Sequence, residues 1–254
     1  MIIPARMAGL PGNGREEGMG KSMEKNRIFL YSSPVSSRYA SHECLGKAVA
    51  HYIASGAYTT EEAGRPSFPA VPPSDWRLER GVHGKPCFPE APMIHFSISH
   101  SGGFWVCAIS GQMVGVDIQE RRWKGKQREE KGAGQSGEKS VRPGFICCED
   151  RIAERFFHPE ERQFLARRAR EGSLQDGKGD FFDVWSAKES YVKYTGEGIG
   201  KDFRSFAVSD RETLLSYINE PSGRRIMLRH LACDPSYSLC VCAEKIGEVR
   251  RICL

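Results

Sequence analysis

The stretch "MIHFSISHSGGFWVCAISGQMVGVDIQ", residues 93–119, constrains the fold more than any other part of the chain. Ile94, Phe96 and Ile98 alternate with His95, Ser97 and Ser99, the period of two that lets a strand put one face on a core. Gly102 and Gly103 supply a turn, "FWVCAIS" returns, and "MVGVDI" follows Gly111 as a third strand. Strands joined this tightly are expected to form an antiparallel meander.

Around this run the pattern is mixed. "RIFLY" (27–31) suits a strand, and "SSRYASHECLGKAVAHYIASG" (36–56) a helix that packs through Ala40, Cys44, Ala48, His51 and Tyr52 and stops at Gly56. A proline-rich connector, "GRPSFPAVPPSDW", comes next. Residues 149–172 read as helix with Ile152, Phe156 and Phe157 on one side and a break near Pro159. "FFDVWSAKESYVKYTGEG" (181–198) is one helix ended by Gly196, and "FAVSD", "RIMLRHLAC" and "YSLCVCAEK" are strand-like.

"FWVCAI" and "YSLCVCA" are both aromatic-led, cysteine-containing strands, each following a helix. The expected fold class is therefore α+β, a pseudo-dimer of two similar α/β halves facing a cleft. Residues 1–26, glycine-rich, are expected to be a flexible tail in which Met23 is a candidate for the natural start, with 27–116 expected as the N-terminal half and 117–254 as the C-terminal half.

Composition excludes several classes. At 39% hydrophobic residues over 254 positions the chain can bury a real core. No run approaches the ~20 apolar residues of a membrane span, and the first residues lack a secretory apolar region, so a cytoplasmic location is expected. The nine cysteines are odd in number, include the neighbours Cys147 and Cys148, and form no CxxC pair, so reduced thiols rather than disulfides or zinc are expected.

The net charge of +5 lies entirely between Arg121 and Arg142, where eight basic residues face three acidic ones. A basic, flexible insert at 121–148 fits this composition, and so does a landing site for an acidic partner. A nucleic-acid binder using residues 121–142 is disfavoured, because Trp123 is the one aromatic residue of that stretch.

The helix at 181–198 raises a chemical question. Val184, Ala187, Tyr191 and Tyr194 make a stripe that can face the core, which leaves Trp185, Glu189 and Lys193 on another at i, i+4 and i+8. A surface ion pair would explain Glu189 and Lys193 alone. Asp117, however, closes the apolar run "VGVDIQ"; a charge there often just marks the exit to solvent, but a strand-end aspartate and a helix-face glutamate together can make a magnesium site. Magnesium is held by one or two carboxylates plus substrate phosphates, so Asp117, Glu189 and Lys193 point to phosphoryl transfer on a pyrophosphate.

"SHSGG" (99–103) lacks the GxSxG elbow of hydrolases. Ser99, His100 and Lys85 of "HGKP" look instead like phosphate donors, with a turn-stabilising histidine as the alternative for His100. "GREEGMGKS" has five residues between Gly14 and Gly20, and "GEGIGKD" has no Ser or Thr after Lys201, so neither is a nucleotide-binding loop.

In order and spacing, "HGKP", "FSISHSGG", "VGVDIQ", "IAERFF" and "WSAKESYVKYTGEG" resemble the 4′-phosphopantetheinyl transferase superfamily, surfactin-synthetase type, over residues 80–250. The resemblance implies a monomer that binds coenzyme A and Mg2+ in its cleft and moves phosphopantetheine to a serine of an acidic acyl or peptidyl carrier protein. It implies that Asp117 and Glu189 ligate magnesium, that Glu189 also serves as or orients the general base, and that Lys193 neutralises the departing 3′,5′-ADP. Lys85, Ser99 and His100 match positions that hold coenzyme A phosphates, and Trp185 and Lys188 belong to the same motif with packing or secondary roles.

Gln119 stands where many relatives carry a second acid, which puts direct metal ligation there in question. The basic cluster that relatives place before the first long helix is not recognisable, with Arg38 or His42 as substitutes. A noncatalytic coenzyme A or carrier-binding module of the same fold is the alternative reading. Neither a membrane nor nucleic acid is expected as a partner.

Overall fold

A computed structural model describes residues 26–34, 38–57, 73–81, 83–121, 148–171, 180–198 and 202–254. The glycine-rich tail before residue 26, the basic insert at 122–147 and the side chain of Arg38 lie outside the described residues. In chain order the elements begin with β1 (Ile28–Pro34), α1 (Arg38–Ala54), the short pair β2 (Glu79–Arg80) and β3 (Pro86–Cys87), β4 (His95–Ser101), β5 (Phe104–Ser110) and β6 (Val114–Glu120). Helices α2 (Cys148–Phe156), α3 (Pro159–Arg170) and α4 (Phe181–Thr195) follow, then β7 (Tyr217–Asn219), β8 (Arg225–His230), β9 (Tyr237–Ala243) and β10 (Val249–Cys253).

The strands form two four-stranded sheets, ordered β10-β1-β5-β4 and β6-β9-β8-β7. The expected three-stranded meander is corrected at its last member. β4 and β5 are an antiparallel hairpin, but β1 occupies the other edge of β5, so β6 has no place there and pairs with β9 in the second sheet. Each sheet repeats one sequence of elements: a strand (β1 or β6), a helix (α1 or α4), then an antiparallel pair whose second strand lies beside the first. The boundary expected between residues 116 and 117 falls inside β6, and β10 returns to run parallel beside β1.

The mixed α/β architecture follows from which faces are apolar. Phe29, Tyr31, Trp105, Cys107 and Ile109 pack with Leu45, Ala48, Val49 and Tyr52 of α1. Val184, Ala187, Tyr191 and Tyr194 of α4 pack with Cys240, Cys242, Ile226 and Leu228. Between the sheets, Ile28, Leu30, Val106 and Ala108 meet Val116, Ile118, Leu239 and Val241. β9 is covered on both sides, which is why "YSLCVCA" is buried throughout and reads as a continuous apolar run. Ala48 and Tyr52 lie on the packed face of α1 as expected, whereas His51 is exposed and meets Tyr31 Oη at 3.0 Å through its Nδ1.

The helical break near Pro159 is present. His158 caps α3 in a capping box with Glu161, and proline opens the first turn, where it forfeits no backbone bond. Of the three apolar residues expected on one side of α2, Phe157 is buried and Ile152 half-buried, but Phe156 is 39% exposed. "FAVSD" is not a strand apart from an isolated bridge, Ser209 to Leu214. Its backbone is engaged by a buried ion pair instead: Val208 N donates to Glu161 Oε1 at 2.8 Å and Phe206 O accepts from Lys188 Nζ at 2.8 Å. Among the described residues no helix is long and apolar enough to cross a membrane.

Candidate active site

β4 and β6 are end members of their sheets, and serine hydroxyls join them in place of a backbone ladder. Ser97 Oγ accepts from Val116 N at 3.1 Å and Ser101 Oγ accepts from Glu120 N at 2.9 Å. Between them, Ser99 Oγ donates to Asp117 Oδ1 at 2.7 Å. Ser97 and Ser101 thereby satisfy backbone donors on the free edge of β6, which would otherwise be unpaired, and Ser99 between them supplies a donor to the Asp117 carboxylate.

On the other side, α4 lies directly on β6. A Cβ at Gly115 would stand 1.9 Å from Ser190 O and 2.6 Å from Tyr194 N, so only glycine permits the approach. Helix α4 is held at both ends: Asp180 Oδ1 accepts from Phe182 N and Asp183 N, and Gly196 closes it at φ 76°. The sequence signal for this contact is a glycine inside a strand otherwise made of Val, Ile and Asp.

This packing brings Asp117 to Lys193. Lys193 Nζ donates to Asp117 Oδ1 at 2.6 Å, the same oxygen that Ser99 engages. Asp117 is 5% exposed, and its second oxygen, Oδ2, is buried with no hydrogen-bond partner among the described residues. Burial, and then the charge of Asp117, push the Glu189 carboxyl up to about 7 against the pull of Lys193. The three residues therefore share one electrostatic environment.

An unsatisfied buried carboxylate oxygen beside a second carboxyl that resists ionising is the situation a divalent cation relieves. No group of three His, Cys, Asp or Glu residues converges among the described residues. A set of two carboxylates suits magnesium, whose remaining positions go to water and substrate phosphate.

Other expected site residues sit differently. Lys85, expected to hold phosphate, donates from Nζ to Val114 O at 3.0 Å, Lys193 O at 2.7 Å and Tyr194 O at 3.0 Å. All three ammonium protons are engaged, two of them on the last carbonyls of α4, so in this structure Lys85 caps the helix and is not a free phosphate donor. Burial moves it down to about 8. Ser99 is likewise turned to Asp117 and not to open space. His100 is exposed on the strand face opposite Ser99. The Gln119 amide nitrogen donates weakly to Glu120 O at 3.4 Å, and its oxygen takes no part in that contact.

Lys188 and Glu161 are fully buried and paired at 2.7 Å. Burial moves the Lys188 ammonium down to about 8 and raises Glu161, in each case against the attraction of the partner. Glu161 also accepts from His158 N at 2.8 Å within the capping box of α3, and its pair with Lys188 ties α3 to α4 one residue before Glu189. Glu161 escaped the sequence reading, although its place three residues after His158 is a capping-box signal.

A second network was equally illegible. Arg121 meets Asp180 Oδ2 at 2.5 Å and Asp183 Oδ1 at 2.8 Å, which pins the end of β6 to the start of α4. The expected stripe of Trp185, Glu189 and Lys193 does face a cavity of about 620 Å³. Phe96 and Ile98 of the first sheet, with Phe156, Val192 and Phe203, supply its apolar walls, and Lys85 also lines it.

The family model of the 4′-phosphopantetheinyl transferase superfamily matches residues 113–242 of this chain, a span that includes Asp117, Glu189 and Lys193. A 4′-phosphopantetheinyl transferase of Bacillus subtilis is 32% identical over 163 residues, 63% of this chain and 60% of that protein. 4′-Phosphopantetheinyl transferase Sfp of Bacillus subtilis (strain 168) is 31% identical over 172 residues, 67% of this chain and 64% of that protein. The psf-1 transferase of Bacillus pumilus is 29% identical over 184 residues, 72% of this chain and 67% of that protein. The chain thus spans less than two thirds of the length of the first two relatives.

Proposed function

The chain belongs to the 4′-phosphopantetheinyl transferase superfamily, and from that premise we propose that it transfers 4′-phosphopantetheine from coenzyme A to a serine of an apo carrier protein. The carrier is an acidic acyl or peptidyl carrier, the other product is 3′,5′-ADP, and the reaction requires Mg2+. The protein acts as a cytoplasmic monomer, a pseudo-dimer of two α/β halves with its active site in the cleft between them. The single observation that carries the proposal is the unsatisfied Asp117 Oδ2 in the same environment as Glu189 and Lys193.

Asp117 and Glu189 would hold the metal, with the Gln119 amide oxygen contributing no charge. The chemistry that magnesium supplies when bound there is neutralisation of a pyrophosphate and polarisation of the phosphorus under attack. Glu189, which lines the cavity, would accept the proton of the incoming serine hydroxyl or orient the base that does. The serine oxygen then bonds to the phosphorus that bears pantetheine, and the bond from that phosphorus to the ADP oxygen breaks. Lys193 donates to the charge that grows on the leaving oxygen.

Ser99 and Lys193 occupy Asp117 Oδ1, so that the other oxygen is the one presented to the metal. Lys85 holds the end of α4, and with it Lys193, in place. His100, exposed at the strand end, is the donor left for a coenzyme A phosphate. Trp185, Phe96 and Phe203 line the same cavity as Glu189 and Lys193.

Mass spectrometry of apo carrier domains from fatty acid, polyketide and peptide synthesis tests the proposal directly. After incubation with coenzyme A and magnesium, at least one should gain the mass of a phosphopantetheine group. A panel left unmodified would count against transfer, and calorimetric binding of coenzyme A without product would favour a noncatalytic module.

A further inference from the structure

Helix α3 carries a feature that the transfer chemistry does not use. Its inner side buries Glu161 and Phe164, while Arg162, Gln163, Ala166, Arg167 and Arg170 fall at the i, i+1, i+4, i+5 and i+8 spacing of one outward face. With Arg211 across from them they line a groove of about 530 Å³, which shares no residue with the cavity at Glu189. Arg211 projects from a turn fixed by Asp210 Oδ1, which accepts from Glu212 N and Thr213 N at 2.7 Å each.

The groove is under-neutralised. Arg167 meets Glu171 at 2.7 Å and Glu212 at 3.9 Å. The guanidinium groups of Arg162, Arg170 and Arg211 have no ion pair among the described residues, and Arg162 Nε is buried without a hydrogen bond. With Arg167 already paired, the three remaining cations around one concavity are left for an anion to neutralise.

The shape and lining select the kind of anion. No aromatic side chain is present for base stacking, which disfavours nucleic acid. The helix N-terminus is already closed by its capping box, so no cradle of backbone N–H groups awaits a compact phosphate. From Arg162 to Arg170 the helix rises about 12 Å, and carboxylates at i, i+4 and i+8 of a second helix span the same length. Guanidinium forks pair with carboxylates in bidentate geometry. We infer that this groove is a docking surface for an acidic α-helix of a protein partner.

The test uses the full-length protein and a labelled helical peptide with glutamates at i, i+4 and i+8, followed by fluorescence anisotropy. The combined variant Arg162→Glu, Arg170→Glu, Arg211→Glu should weaken binding by about tenfold or more. An equal change of charge in the basic segment, Lys124→Glu, Lys126→Glu, Arg128→Glu, should weaken it by less than about threefold. Equal losses would mean nonspecific attraction and overturn the inference, as would tighter binding of inorganic phosphate or an oligonucleotide than of the peptide. If the triple variant fails to fold, Arg170→Glu with Arg211→Glu, both at exposed positions, gives the same comparison.

Discussion

Gly115 lies so close to Ser190 that a methyl group on its Cα would stand 1.9 Å from the serine carbonyl oxygen. This contact sets the separation of β6 from α4, and hence of Asp117 from the residues on the helix that act with it. Backbone meets backbone there, so neither side can yield by changing a rotamer.

Gly115→Ala should therefore cost about 3 kcal/mol or more of stability. Chemical denaturation would read this as a lower midpoint. A midpoint within error of the wild type would mean that the helix can lift off the strand without penalty.

Glu189→Gln should lower transfer to a carrier by about 10² to 10⁴-fold, because it removes both a metal ligand and the proton acceptor. Gln119→Ala should lower it by about tenfold or less. Initial rates from carrier mass shifts discriminate the two, and equal losses would undo the role assignments.

Ser99 gives a sharper comparison. If it orients Asp117, Ser99→Ala should raise the magnesium concentration needed for half-maximal rate while leaving the KM for coenzyme A nearly unchanged. A reversed pattern would make Ser99 a phosphate donor. The hydrogen bond it gives a buried carboxylate is of the class worth about 1.5–3 kcal/mol.

The raised Glu189 carboxyl makes stability depend on pH in a definite direction. With a folded pKa of about 7 above a reference of 4.5, the folded state holds the extra proton between these values, so this contribution is present at low pH and is lost as pH rises through about 7. In chelator, the melting temperature of the wild type relative to Glu189→Gln should fall between pH 5 and pH 8. A constant difference would show that burial does not perturb this carboxyl.

Lys188→Met leaves Glu161 buried without its cation and should destabilise the fold by about 3–5 kcal/mol. Thermal melting with and without coenzyme A would test whether the loss also reaches the neighbouring Glu189. A neutral effect would mean that Glu161 takes up a proton once its cation is removed.

Much of the candidate site was legible because helical spacing fixes which side chains share a face. Trp185, Glu189 and Lys193 could be placed together, and Val184, Ala187, Tyr191 and Tyr194 assigned to the core, from periodicity alone. The amphipathic alternation of β4 and the break at Pro159 were equally plain. Each is a property of a few neighbouring residues, and local dihedral preferences decide it.

What could not be read was the partner of each face. Three strands in a row say nothing of β1 reaching the far edge of β5 first, which is what sends β6 into the other sheet. "SISHS" looks like a row of ligand donors until the free edge of β6 is found beside it, and Lys85 looks like a phosphate donor until the carbonyls closing α4 take its three protons. The sequence determined most elements and the faces of α4 and β4, though not the loop at "FAVSD" or the exposure of Phe156. Tertiary structure decided how every buried polar group is satisfied, because those partners lie far apart along the chain and are chosen by packing.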